Sequence, residues 1–134
     1  MEFSDTSVLD AAQLLALAKA APLAGCDDCT ALKCAGWEPM SVTFDEARLR
    51  RHGRLGRVDV EPEPTFAEYH PDGTRYWSVE APIAIEFFPY NRCEVWSCRR
   101  CNRAFLRYTE YGGYYIEPRI RLLDPARIVP PTSA

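Results

Sequence analysis

Six cysteines in mirrored order constrain this chain more than any other feature. They fall as Cys26-x2-Cys29-x4-Cys34 and Cys93-x4-Cys98-x2-Cys101. Two Cys-x-x-Cys pairs thus stand 68 residues apart, each with one further Cys on its inner side. The N-terminus, Met1-Glu2-Phe3-Ser4-Asp5, lacks the basic region of a secretory signal, and the apolar run Leu14–Ala18 is short, so the expected location is cytoplasmic. A reducing compartment disfavours disulfides. A Cys-x-x-Cys turn aims two thiolates at one point while backbone amides stabilise the sulfur charge. Two such turns supply a closed tetrahedral sulfur site suited to Zn²⁺. Cys26, Cys29, Cys98 and Cys101 are therefore the candidate ligands of one zinc per chain. Asn102, directly after Cys101, tolerates the left-handed backbone that lets a chain leave such a turn, and Thr30 after Cys29 fits less well.

Cys34 and Cys93 read as core residues or as supports behind the ligands, with either able to replace one member of the quartet. Cys93-x4-Cys98-x2-Cys101 also echoes plant-type ferredoxin spacing, but no fourth Cys follows Cys101, and Trp96, Arg99 and Arg100 are bulky for a cluster loop. An iron–sulfur cluster is accordingly the lesser expectation. A thioredoxin-like dithiol would need a βαβ pattern that is absent.

Length and charge bound the rest. The 134 residues allow one domain, assigned to 1–129, with 130–134 as a disordered tail. An apolar fraction of 47% excludes wholesale disorder. No run reaches the ~18 apolar residues of a membrane span. The formal charge of −3 argues against coating nucleic acid by bulk charge. That charge is uneven: residues 1–91 carry 8 basic and 15 acidic side chains, residues 92–134 carry 8 and 4. Of the basic residues 14 are Arg and 2 are Lys, a bias that a GC-rich genome explains most simply.

Local patterns place the motifs. Val8, Ala11, Ala12, Leu15 and Ala18 fall at helical spacing, predicting a helix over 7–20 capped by Thr6 or Ser7 and stopped by Pro22. Pro22–Gly36 is the first metal loop, with Trp37 expected to pack on it. Thr43-Phe44-Asp45-Glu46 matches a capping box and predicts a short helix through His52, stopped by Gly53; its arginines 48, 50, 51, 54 and 57 form a solvated face. Residues 59–64 make an acidic Pro-containing loop. The second half reads as β: Thr74–Val79, Ile83–Phe88, Glu94–Ser97 and Arg103–Tyr111 are expected strands, the last two flanking the second metal turn. Gly112-Gly113 is the expected two-residue turn of the next hairpin. Tyr114–Leu122 alternates until Pro118, where a short helix is an equal option. Asp124-Pro125 caps one last turn.

At Cys26–Cys29 and at Trp96-Ser97-Cys98-Arg99-Arg100-Cys101-Asn102 through Leu106 the chain resembles zinc-ribbon and zinc-knuckle proteins. The resemblance covers a small part of the chain and implies a structural zinc held by two knuckles. The chain departs from it in lacking the usual Pro or Gly near the cysteines and in the long separation of the pairs.

No catalytic pattern emerges. The two histidines, His52 and His70, lie outside any His-Glu-x-x-His context, the deaminase signature is missing, and there is no Gly-rich phosphate loop. A C-terminal Arg/aromatic surface for single-stranded nucleic acid is one reading, with Arg99, Arg100, Arg103, Arg107, Tyr111 and Tyr115 as candidate partner-binding residues. A protein-interaction module is the favoured one, since a small acidic domain can dock on a basic partner; bacterial toxin-neutralising immunity proteins share that size and charge. The expected fold is α+β: N-terminal helices and a C-terminal antiparallel β-sheet joined by a zinc site of two Cys-x-x-Cys knuckles.

Overall fold

Between Glu94 and Leu122 successive side chains turn to opposite faces with the period of two that a pleated sheet imposes: Val95 and Leu106 enter one core, Phe105 and Ile120 the other. Three strands result: β4 (Glu94–Cys98), β5 (Ala104–Tyr111) and β6 (Ile116–Leu122). The structure, a computed structural model, describes residues 8–55 and 65–129. Ahead of the meander come β1 (Val8–Leu9), one helix α1 (Ala11–Ala20), β2 (Glu38–Pro39) and β3 (Leu49–Leu55). The sheet runs in the order β1-β3-β4-β5-β6-β2. β1 is parallel to β3, and every other pair is antiparallel. The class is α+β as expected, but with a single helix among the described residues.

The helix begins later than its periodicity suggests. Asp10, rather than Ser7 or Thr6, is the cap: its carboxylate accepts from the Gln13 backbone N–H at 2.8 Å, and the Gln13 side chain accepts from the Asp10 N–H at 2.9 Å. Residues 6 and 7 lie outside the described part of the chain, and Val8–Leu9 pairs with β3 instead of joining the helix. Leu14 and Ala18 are the residues the helix buries. Tail residues 130–134, Arg57 and the 59–64 loop also lie outside the described residues.

The expected helix up to His52 is a strand. Only Glu46–Arg48 makes a helical turn, its N–H at Ala47 donating to the Asp45 carboxylate at 3.0 Å. From Leu49 the chain enters the sheet between β1 and β4, with a bulge between Arg51 and Gly53. A capping box specifies only one turn, and ladder bonding on both sides outweighs it. The arginines of this strand serve the fold: Arg51 pairs with Glu94 at 3.1 Å, and Arg50 donates to the Asn102 side chain at 3.4 Å.

Thr74–Val79 and Ile83–Phe88 are turns rather than strands. Ser78 N–H donates to Arg75 O and Ala81 N–H to Ser78 O. Ile83 makes only an isolated bridge to Ile128. Prolines at 82 and 89 remove ladder donors, and Tyr76 fills the core instead of lining a strand. Trp37 stands at the centre of that core. It stacks on Tyr76 at 6.1 Å, meets the edge of Tyr108 at 5.0 Å, and donates through Nε1 to Tyr90 Oη at 3.2 Å. It therefore packs on the face of the sheet opposite the metal loop, contrary to expectation. Arg121 is fully buried beside it and donates to Tyr90 Oη and to the carbonyls of Val79 and Ala81 at 3.0 and 2.7 Å.

Pro118 does not start a helix. β6 runs through it, with Pro118 opposite Thr109. Its carbonyl accepts from Met40 N–H at 2.8 Å. Because a strand residue points its N–H and C=O to the same side, the missing N–H faces the sparsely paired β2 edge, where a proline costs least. The β5–β6 turn is shifted by one residue from Gly112-Gly113. Gly112 N–H donates to Tyr115 O at 2.9 Å, leaving Gly113-Tyr114 at the tip. A Cβ on Gly112 would collide with the Tyr115 ring. The last turn, Pro125–Arg127, is capped by Asp124 as expected.

Two stability predictions follow from this packing. Trp37→Ala should cost about 3–5 kcal/mol in urea unfolding, because the site cannot collapse around so large a cavity. His52 is held below its usual 6.5 by burial and then by the Arg50 charge, and it lies 2.8 Å from Ser97 Oγ. The unfolded chain takes this proton first as pH falls below 6.5, so the stabilisation present above 6.5 is lost below it. His52→Asn should show a smaller drop in urea midpoint between pH 7.5 and pH 5.5 than the wild type; an equal drop would remove His52 from the account.

Candidate metal centre

Each knuckle is built by local backbone bonding. In the first, Cys29 N–H and Thr30 N–H both donate to Cys26 O, at 3.1 and 2.8 Å, and Leu32 N–H donates to Cys29 O at 2.9 Å. The second is the turn between β4 and β5. Asn102 N–H donates to Cys98 O at 2.9 Å, and Cys98 N–H donates to Arg103 O at 2.8 Å, which closes the hairpin. Asn102 adopts φ 68°, the left-handed conformation its residue type permits. The sheet holds the second knuckle rigidly. The first is tied down by Leu122 N–H donating to Cys34 O at 2.7 Å, and by Arg48 and Arg100, which reach Asp28 O at 3.1 Å and the Asp28 carboxylate at 3.5 Å.

The two knuckles meet. The Sγ atoms of Cys26, Cys29, Cys98 and Cys101 all lie within 4.8 Å of one another. Across the knuckles, Cys26 and Cys98 are 3.6 Å apart, as are Cys29 and Cys101. A tetrahedron of sulfurs about 2.3 Å from one ion has edges of about 3.8 Å. The group is therefore sized for a single four-coordinate metal ion. Cys29 and Cys98 are buried, while Cys26 and Cys101 are partly open to solvent.

Electrostatics differ across the four thiols. Burial pushes Cys29 up to about 12, with Cys101 and Cys98 adding to the rise. Cys98 is also raised by burial, against backbone hydrogen bonds from Cys101 and Arg100. Burial acts to raise Cys101 as well, but backbone bonding from Arg103 and hydrogen bonds from Cys29 and Cys26 outweigh it and bring it down to about 7. A metal ion binding such a group takes its cysteines as thiolates, displacing the protons that burial favours on Cys29 and Cys98.

Cys34 and Cys93 stand outside the group. Cys34 Sγ points to Leu32 O at 3.8 Å in the core under the first knuckle, and burial pushes its thiol up to about 12. Cys93 is fully buried on the opposite face, where Sγ donates to Pro89 O at 3.3 Å. All six cysteines are free thiols.

The six expected partner-binding residues separate into two places. Arg99, Arg100 and Arg103 belong to the second knuckle, and Tyr111 and Tyr115 lie at the far end of β5, eight residues and about 25 Å away. Arg107 is held between them, 4.6 Å over the Trp96 ring and 2.5 Å from the Glu46 carboxylate. Arg99 Nε donates to Ala47 O at 3.0 Å. Two features went unread in the sequence. Gly25 lies against both Cys29 and Arg103, signalled only by its position before Cys26. A cleft of about 440 Å³ beside the first knuckle is lined by Lys33, Cys34, Phe44 and Ile120 among others, and no motif marks it.

Among the described residues no helix is long and apolar enough to cross a membrane. Comparison with protein-family models, curated proteins and solved structures finds no match.

The geometry separates the cysteines by role. Cys98→Ser should abolish stoichiometric metal binding, whereas Cys34→Ser should retain it and cost stability only through packing. Equal metal content in the two variants would contradict the assignment.

Proposed function

We propose that this protein is a non-enzymatic protein-interaction module whose fold is stapled by one structural Zn²⁺ on Cys26, Cys29, Cys98 and Cys101. The convergence of the four sulfurs within 4.8 Å carries the reading. Closed all-thiolate coordination leaves no open position for substrate, which is the pattern of a structural zinc. A polynuclear iron–sulfur core places metal ions and sulfides between its cysteines and spreads the full set wider than the 4.8 Å that spans these four sulfurs, which favours a mononuclear ion. The reducing cytoplasm is where such thiols stay available.

The partner reading rests on exposed surface. At the β5–β6 tip Tyr111 is 73% and Ile116 70% exposed, and Tyr114 projects from the turn itself. The acidic body, with 15 acidic against 8 basic side chains over residues 1–91, suits a basic protein partner. The knuckle arginines and tip tyrosines that a single-stranded nucleic acid would engage together stand about 25 Å apart along β5.

Purified protein should contain one zinc per chain and no iron. Structural zinc contributes about 10–16 kcal/mol of apparent binding free energy, comparable to the whole net stability of a domain, about 5–15 kcal/mol. Chelation at neutral pH should therefore unfold the chain or lower its melting temperature by tens of degrees, and protein that melts identically with and without chelator would end the staple reading. Tyr111→Ser with Ile116→Ser should lose partner capture while keeping zinc content and melting temperature. Binding to single-stranded nucleic acid with a steep salt slope would replace the protein-partner reading.

A further inference from the structure

A tetrathiolate zinc carries a net charge of −2, since four thiolates surround one dication. Burying two of the four sulfurs beside the apolar side chains of Leu32, Met40 and Phe105 makes that charge costly unless a cation stands close. Arg99 and Arg100 flank the ligands in sequence, but both reach outward to other groups: Arg99 to Ala47 O and Arg100 to Asp28.

Arg103 is placed differently. An ideal Cβ on Gly25 would lie 3.0 Å from Arg103 Nη1 and 3.0 Å from Cys29 Sγ, so those two atoms are no more than about 6 Å apart. At that range a cation favours a thiolate. Arg103 Nε is buried without a hydrogen-bond partner, and among the described residues no carboxylate pairs with the guanidinium. The group also lies 5.5 Å over the Phe105 ring. The main chain of the same residue closes the hairpin through its carbonyl to Cys98 N–H. Position 103 thus meets the metal centre through both backbone and side chain.

Resting on the zinc reading above, we infer that Arg103 is the counter-cation of the metal tetrathiolate, and that Gly25 is glycine because a side chain there would push the guanidinium away from Cys29. Arg103 is then a positioning residue for the metal, not a contact for an external partner. Lysine retains the charge, glutamine removes it, and a larger residue at 25 crowds both the guanidinium and Cys29 Sγ without altering the charge count.

The test is zinc affinity by competition with a chromogenic chelator, together with the thiolate-to-metal charge-transfer band of the cobalt(II)-loaded protein. R103Q should weaken zinc binding by about 10- to 100-fold, the range found when outer-shell partners of ligands are removed. It should also move the cobalt band to lower energy, because the thiolate lone pairs lose a stabilising cation. R103K should restore both. A purely structural role would weaken folding without moving the band. Gly25→Val should weaken zinc binding in the same direction as R103Q. If R103Q fails to fold, R103K and Gly25→Val decide: Gly25→Val binding zinc as tightly as the wild type overturns the inference. An unchanged affinity and band in folded R103Q overturns it equally. A wild-type chain that binds neither zinc nor cobalt defeats the zinc reading itself, which is a separate outcome.

Discussion

The meeting of two cysteine turns fixes the path of the segment that wraps this sheet. Residues 26–34 lie against the face that carries Leu49, Phe105 and Ile120. A few residues later Trp37 enters the core on the opposite face, among Tyr76, Tyr90 and Tyr108. The chain makes that passage at the sheet edge, where β2 pairs with β6. Gly36 permits it: an ideal Cβ there would stand 2.7 Å from Trp77 O. With Cys26 and Cys29 tied to the β4–β5 turn and Trp37 seated behind, one short segment couples the two cores. Loosening either anchor loosens the edge strand between them.

Arginine is used in the same spirit, as a fixture and not as a charged coat. Arg121 satisfies two carbonyls and a tyrosine hydroxyl from inside the core. Arg119 pairs with Glu117 at 2.7 Å and donates to Tyr76 Oη and Tyr108 Oη at 3.1 and 3.3 Å. That network holds the turn-rich segment around Tyr76 on the sheet, where no ladder does so. Lysine, a point charge on a flexible stem, could not reproduce these forked and stacked contacts. The arginine excess read as genome bias therefore has a structural use at several positions, whatever its origin.

The parts of the fold legible in the sequence are those decided within a few residues. The second knuckle, its flanking strands and the Asp124 cap were all visible in spacing and turn chemistry. So was the quartet itself, because two Cys-x-x-Cys turns have few other uses. The failures share a cause. The Thr43–Glu46 capping box promised a helix, yet its extension was decided by pairing with β4, from Leu49 opposite Cys98 to Arg54 opposite Glu94. Tyr76, Trp77 and Ile83–Phe88 have strand-like composition, yet Tyr76 stacks on Trp37, Phe87 and Phe88 pack on Tyr69 and Phe66, and prolines at 82 and 89 remove ladder donors. Pro118 suggested a break, and only the position of β2 shows why a strand tolerates it. Gly25 and the charge beside Cys29 lay beyond any local pattern, since neither residue faces the other until the sheet has formed.

The two faces of the sheet explain why a chain of this size would use a metal on one side only. The face under α1 buries a tryptophan, two tyrosines and several aliphatic residues, enough to cohere by packing. The other buries eight residues among those described, three of them cysteines. Thiols facing one another contribute little burial and repel when ionised. On the proposed zinc reading, a dication would convert that weak patch into a set of bonds and, by drawing distant turns together, would compensate for the core the face lacks. The centre so formed would be anionic, and an anionic centre under a half-open loop would need a cation of its own. Arg103, with its buried Nε left without a partner, is the residue placed to supply it.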